Sequence, residues 1–264
     1  MAYMREEELR IAVEARGERI LLEARVANPH SGQAVDAPGV VICHPHPLYG
    51  GNMDNPVVST LQQVFADLGL TTLRFNFRGV GESTGHYDEG RGEREDVLGV
   101  VSFKKTLGFS RFYGAGYSFG SWVLLKSFAQ MEHAPDPGLR FSGLILVSPP
   151  VDVMDFQGVR IPRQVPCLIL AGSQDTFCTQ ASLQAWLQNT PSTPSSLALV
   201  EGADHFFWNH LDTVGKNIRQ EMETWMRIAS AMQEQPSRSF HLGNSPAVPG
   251  IRSPKPQAGK ASGS

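Results

Sequence analysis

An α/β fold built on a mostly parallel sheet is what this sequence of 264 residues predicts. Three observations carry the prediction. Strand-sized apolar runs alternate with segments of helical period along most of the chain. Some of those runs, such as the β-branched Gly-Val-Val-Ile-Cys at 39–43, suit strands buried on both faces of a parallel sheet. The run at 112–117 passes straight into a helix through Gly-Tyr-Ser-Phe-Gly, a connection typical of α/β units.

The elements follow in order. Runs at 9–13 and 20–26 read as an opening strand pair on the sheet edge. The strand at 39–43 precedes a helix at 55–68, where Val57, Leu61, Val64, Phe65 and Leu68 share one face and Gly69 marks the C-terminal cap. A strand at 71–77 and a helix at 93–107 come next. The strand at 112–117 leads into a helix from 118 to about 132. Strands at 143–147 and 167–171, a helix at 179–188, a last strand at 196–200 and a long closing helix at 212–232 complete the series. No repeat at solenoid spacing is present.

Composition narrows the function. With 41% hydrophobic and 19% charged residues the chain is a globular protein, not a disordered one or a coiled coil. A net charge of −3 leaves no basic footprint for nucleic acid, so none is expected as a partner. No apolar run approaches the ~20 residues of a bilayer span. Residues 1–25 mix Arg and Glu and lack the apolar core of a secretory signal. Cys43, Cys167 and Cys178 are odd in number and two lie inside apolar runs, which argues for reduced thiols and a cytoplasmic location.

The charge is unevenly placed. Residues 236–264 hold five Pro, four Gly and six Ser, with Arg238, Arg252, Lys255, Lys260 and no acid. Such a stretch cannot bury enough apolar surface to offset its ordering entropy, so it reads as a disordered basic tail. The expected organisation is one domain at 1–235, with 19 basic and 26 acidic residues, followed by that tail.

Chemistry is expected in the loops at strand ends. Gly116-Tyr117-Ser118-Phe119-Gly120 matches Gly-x-Ser-x-Gly between a strand and a helix, a sharp turn that lifts a serine hydroxyl above the sheet. The flanking glycines belong there because strand and helix pass too closely for side chains. The helix N-terminus aims its free N–H groups at the same point. A serine nucleophile needs a base and an orienting acid, in the chain order Ser, Asp, His. His205 follows the last strand through Glu201-Gly202-Ala203-Asp204, and Asp175 follows the strand at 167–171 through Gly172-Ser173-Gln174. Asp152, beyond the strand at 143–147, is the rival acid, whereas Asp204 beside His205 points elsewhere.

An oxyanion hole requires two backbone N–H groups. Phe119 supplies one. The other comes from His44-Pro45-His46-Pro47-Leu48-Tyr49-Gly50-Gly51, where Pro45 and Pro47 have no N–H. That leaves His46 or a residue from Leu48 onward, and His46 is the preferred donor, since its two flanking prolines fix its backbone direction. As a metal site His44-x-His46 lacks a carboxylate or thiolate at ligand spacing, and no metal is expected. Nor is a nucleotide cofactor: Gly114-x-Gly116-x-x-x-Gly120 and Gly79-x-Gly81-x-x-x-Gly85 depart from Gly-x-Gly-x-x-Gly.

Taken with Phe75-Asn76-Phe77-Arg78-Gly79-Val80-Gly81-Glu82-Ser83 and Gly202-Ala203-Asp204-His205-Phe206-Phe207, these motifs stand in α/β-hydrolase order. Over roughly residues 9–232 the chain resembles the small capless α/β-hydrolases of the serine aminopeptidase-like and dienelactone hydrolase-like branches. The resemblance implies an α/β-hydrolase fold, a Ser118–Asp175–His205 triad and a serine hydrolase of carboxylesterase type, with peptidase and thioesterase chemistry open to the same triad. Arg78, Gly79, Gly81 and Ser83 would shape the turn after the fourth strand. Only about 19 residues separate the strand ending at 147 from the one near 167, too few for a helical cap domain, so the site is expected to be open. Tyr49, Phe206 and Phe207 are the expected substrate contacts, and a small-molecule acyl compound the expected partner.

An imidazole base titrates near pH 6.5. Ester hydrolysis measured from pH 5 to 8 should therefore rise as pH passes about 6.5 to 7, and a flat profile would argue against a histidine base.

Overall fold

The structure, a computed structural model, describes residues 5–28, 38–103, 111–132, 140–190 and 195–234. The tail expected at 236–264 lies outside the described residues, as does the far end of the helix expected at 93–107. In chain order the elements are β1 (Arg5–Ala15), β2 (Glu18–Asn28), β3 (Gly39–Cys43), α1 (Pro56–Asp67), β4 (Thr71–Phe75), α2 (Arg91–Phe103), β5 (Arg111–Tyr117), α3 (Phe119–Glu132), β6 (Arg140–Val147), β7 (Cys167–Gly172), α4 (Gln180–Gln188), β8 (Ser195–Val200) and α5 (Leu211–Glu234).

One eight-stranded sheet, ordered β1-β2-β4-β3-β5-β6-β7-β8, organises the chain. The β1–β2 and β2–β4 pairings are antiparallel and the others parallel, so the fold class read from the sequence is the one observed. Two apolar layers cover the sheet. On one face Val57, Leu61 and Phe65 of α1 and Ile218, Met222 and Trp225 of α5 pack together. On the other, Val97 and Val100 of α2 meet Trp122 and Leu124 of α3, and Leu183 and Trp186 of α4. No helix among the described residues is long and apolar enough to cross a membrane.

Local chemistry sets the ends of the elements. Asn55 caps α1 by accepting the Val57 N–H at 3.0 Å, with Pro56 at the first helical position. Glu93 accepts the Asp88 and Gly90 N–H groups at 2.9 and 2.8 Å, so α2 begins two residues earlier than its apolar period suggests. The run expected to be strand through 77 leaves the ladder at Phe75. There the Asn76 N–H turns to the Glu23 carbonyl and the Phe77 N–H to the His44 ring. The β1–β2 hairpin extends beyond its apolar positions, because backbone pairing from Arg5↔Asn28 to Ala15↔Glu18 does not require apolar side chains.

The turn after β4 is built around a buried ion pair. Arg78 donates from Nε and Nη2 to Asp96 Oδ1 at 3.0 and 2.8 Å, and from its backbone N–H to Oδ2 at 3.0 Å. Both side chains are shielded from water. Ser83 closes the turn, donating to the Asn76 carbonyl at 2.8 Å and accepting the Glu23 N–H at 2.9 Å. Asp96→Ala strips the buried guanidinium of its short bonds and leaves it the longer 3.4 Å contact to Glu95, which should cost about 3–5 kcal/mol in urea unfolding. The double variant Arg78→Met/Asp96→Ala should recover part of that loss.

Candidate active site

The sheet reverses its winding between β3 and β5, so the loops leaving these two strands open side by side at their carboxyl ends. Ser118 is the single residue joining β5 to α3. It sits in the left-handed region at φ 53°, a conformation costing an L-residue about 1–2 kcal/mol. The surroundings impose it. Its N–H donates to the Val147 carbonyl at 2.8 Å, and its own carbonyl accepts the Ser121 N–H at 2.9 Å. A Cβ on Gly116 would meet the Ser121 backbone within 3 Å, and one on Gly120 would strike the Cys43 and His44 carbonyls. The two glycines of the motif thus mark the closest approaches in the turn.

Asp175 and His205 come to Ser118 on loops that are tied together. The Gln174 N–H donates to the Ala203 carbonyl at 2.9 Å, and the Gly202 N–H to Ser173 Oγ at 2.8 Å. His205 Nε2 lies 2.9 Å from Ser118 Oγ, and His205 Nδ1 lies 3.0 and 2.9 Å from Asp175 Oδ1 and Oδ2. All three side chains are buried or nearly so, Ser118 being 8% exposed. The Tyr117 hydroxyl donates to the His205 carbonyl at 2.9 Å, while the Phe177 ring lies 4.7 Å from the imidazole, centroid to centroid. Asp175 Oδ1 also accepts the Phe177 and Cys178 N–H groups at 2.8 and 3.0 Å. Burial by itself pushes the Asp175 carboxyl up. His205, the nearby Ser148 hydroxyl and the Phe177 N–H outweigh it and hold the group below the usual carboxylate range. The structure therefore brings together Ser118, Asp175 and His205.

The rival acids do other work. Asp152 accepts the Thr179 N–H at 2.7 Å and the Ser182 hydroxyl, holding the start of α4. Asp204 accepts the Phe206 N–H at 3.0 Å, closing the turn that carries His205.

The loop after β3 lies across from this chain of hydrogen bonds. His44 is buried, and its Nε2 accepts the Phe77 N–H at 3.0 Å, so the proton resides on Nδ1, which donates to the Pro45 carbonyl at 2.6 Å. That carbonyl shares a trans peptide with the His46 N–H, so the clamp on the oxygen turns the N–H the opposite way. Phe119 opens α3, and its N–H has no acceptor within the helix. The half-buried His46 ring packs 4.8 Å from the Phe119 ring, with its Nε2 3.2 Å from the Tyr87 hydroxyl.

Among the expected substrate contacts, Tyr49 is 86% exposed with its ring 4.7 Å from that of His46, and Phe206 is 53% exposed edge-on to His205. Phe207 is a correction. It is fully buried, packing with Tyr117, Val214 and Ile218 beneath the site, so it is a core residue and not a substrate contact. A turn with Phe207 at φ 54° sends the two adjacent phenylalanines in opposite directions. Sequence reading also missed His44 as a clamp, Tyr87 as a partner of His46 and Tyr117 as a support for His205. The aromatic Tyr117 next to Ser118 was the one visible signal.

Between β6 and β7 the chain forms no helix. Val151, Met154 and Phe156 pack down on the core, and Trp122 Nε1 donates to the Asp155 carbonyl at 2.8 Å. The segment lies on the body of the protein.

No protein-family model matches the chain. It is 30% identical over 198 residues to an uncharacterised protein of Rickettsia prowazekii, covering 72% of this chain and 80% of that one. An α/β serine hydrolase homologue from Coxiella burnetii is similar in structure, with 32% identity, a TM-score of 0.68 and coverage of 84% of this chain and 99% of that one. A lidless α/β serine hydrolase from Xanthomonas campestris gives 28% identity, a TM-score of 0.70 and coverage of 83% and 95%.

The His44 clamp has a consequence for stability. Burial, aided by the neighbouring His46 and opposed by the bond to Pro45, lowers the His44 pKa to about 3. In the unfolded chain the imidazole takes up its proton near pH 6.5, so acid favours unfolding. This contribution is fully present above pH 6.5 and is lost as pH falls toward about 3. Between pH 7 and pH 5 it is on the order of 2 kcal/mol. His44→Gln keeps an amide to meet the Phe77 N–H without titrating. Its thermal midpoint should fall less than the wild type's over that interval, as scanning calorimetry would read.

Proposed function

The chain belongs to the lidless α/β serine hydrolases, and from that premise we propose that it is a carboxylic ester hydrolase working through an acyl-enzyme. One observation carries the reading: the continuous path from Ser118 Oγ through His205 to Asp175, each step near 3 Å. Ser118 Oγ attacks the ester carbonyl carbon as His205 Nε2 takes its proton, and the carbonyl electron pair moves onto oxygen. Asp175 holds the imidazole by Nδ1 and stabilises the imidazolium that forms. The N–H groups of Phe119 and His46 receive the oxyanion, each worth on the order of 10²-fold or more. Collapse breaks the bond to the alkoxy group, which leaves with the His205 proton. Water, deprotonated in turn by His205, then hydrolyses the acyl-serine.

The substrate is proposed to be small or readily accessible, because the 148–166 segment packs down where a lid would stand. The exposed Tyr49, beside His46, and Phe206, beside His205, are the proposed contacts for its apolar part. Cys43, Cys167 and Cys178 are buried free thiols, which suit a cytoplasmic location.

Release of nitrophenol from short acyl esters tests the proposal. Ser118→Ala should lower kcat/KM by about 10³-fold or more with the fold intact. Equal rates in variant and wild type would remove the assignment.

A further inference from the structure

Ser148 is the residue immediately after β6, and three observations single it out. Its N–H donates to the Leu170 carbonyl of β7 at 2.7 Å, fixing it against the strand whose loop carries Asp175. Its backbone is left-handed, at φ 43°. Its hydroxyl is fully buried and makes no hydrogen bond among the described residues. A glycine would occupy this backbone with less strain; what serine adds is a hydroxyl with nowhere else to donate.

The complementary vacancy belongs to Asp175. Its Oδ1 accepts the Phe177 and Cys178 N–H groups as well as His205 Nδ1, whereas Oδ2 meets only His205 Nδ1 among the described residues. A carboxylate oxygen accepts two hydrogen bonds readily, so Oδ2 has capacity to spare. The Ser148 hydroxyl is close enough to favour the charged form of Asp175 while falling short of a formed bond. An unsatisfied buried donor beside an under-used buried acceptor is an arrangement that a small side-chain rotation resolves.

We propose that Ser148 is a positioning residue for Asp175, its hydroxyl donating to Oδ2 so that the carboxylate is held from both sides while His205 is protonated. The inference rests on the proposed triad. It assigns no chemistry to Ser148 itself, which acts on the base through the acid. The other titratable groups that feel the Asp175 charge are His205, Tyr117 from β5 and Cys178 from its own loop. Tyr117 also feels the Asp204 charge, and Cys178 the Asp152 charge.

The rate of Ser118 labelling by a fluorophosphonate probe, followed across pH, reads the proposal without knowledge of the natural substrate. Ser148→Ala removes the hydroxyl and keeps the strain; Ser148→Gly removes both. Each should label about 10-fold more slowly than wild type, in line with loss of a hydrogen bond to a charged group. The rising limb should move to higher pH, because a carboxylate short of a donor is more basic and holds the imidazolium more tightly. Ser148→Gly should melt no lower than wild type, which separates positioning from folding. Labelling of Ser148→Gly at the wild-type rate with the wild-type pH dependence would overturn the proposal while leaving the triad standing. Failure of the wild type to label would remove the triad, and this inference with it.

Discussion

The site depends on how little space lies between the end of β3 and the start of α3. β3 and β5 are parallel neighbours, with Cys43 opposite Gly116, and the helix leaving β5 must cross the carbonyls that end β3. Gly120 passes those carbonyls with no room for a β-carbon. That contact sets the first turn of α3 beside the loop from His44 to Gly51. It brings Phe119, next to Ser118, against that loop, where its ring packs 4.8 Å from the His46 ring. A side chain at Gly120 would lift the helix and separate these groups together, because they share one packing constraint.

Backbone direction is controlled with equal economy on the β3 side. The peptide between Pro45 and His46 is locked through its oxygen, and the lock is a histidine that burial keeps neutral across the physiological range. His44 therefore serves in the one protonation state in which Nδ1 donates and Nε2 accepts. Protonation would put a hydrogen on Nε2, against the Phe77 N–H, and release the turn after β4. Phe77 and Arg78 are consecutive, so the clamp and the Arg78–Asp96 ion pair hold the start of the same turn.

Much of this was legible in the sequence, for physical reasons that differ from residue to residue. Ser118 was legible because its Gly-x-Ser-x-Gly turn stands with an acid and a histidine that follow beyond later strands in the order Ser, Asp, His. The triad partners were legible as loop residues beyond later strands, with Asp175 the preferred acid and Asp152 its rival. Only the three-dimensional structure shows Asp152 engaged at the start of α4. Phe206 and Phe207 looked alike because adjacent residues differ only in backbone direction, and the left-handed φ at 207 is set by tertiary contacts no local pattern encodes. The outer ends of β1 and β2 were missed for the converse reason: polar edge strands are held by main-chain bonds to which side-chain patterns are blind.

Beyond the strands the same ladder logic continues for one more step, and this fixes where the loops of the site begin. Ser118, Ser148 and Ser173 each follow directly on β5, β6 and β7, and each donates its N–H across to the next strand: to Val147 at 2.8 Å, Leu170 at 2.7 Å and Val200 at 2.9 Å. The sheet thus extends its pairing one residue past each strand before the chain turns away. Ser118, the start of the loop to Asp175 and the strand preceding His205 are placed by one run of backbone hydrogen bonds. Loops ordinarily carry the mobility of a fold; here they begin as sheet. At Ser118 and Ser148 the chain then leaves the ladder through a left-handed turn, whereas Ser173 makes the same bond without one. The strain at these two serines is the local cost of a site fixed by the sheet.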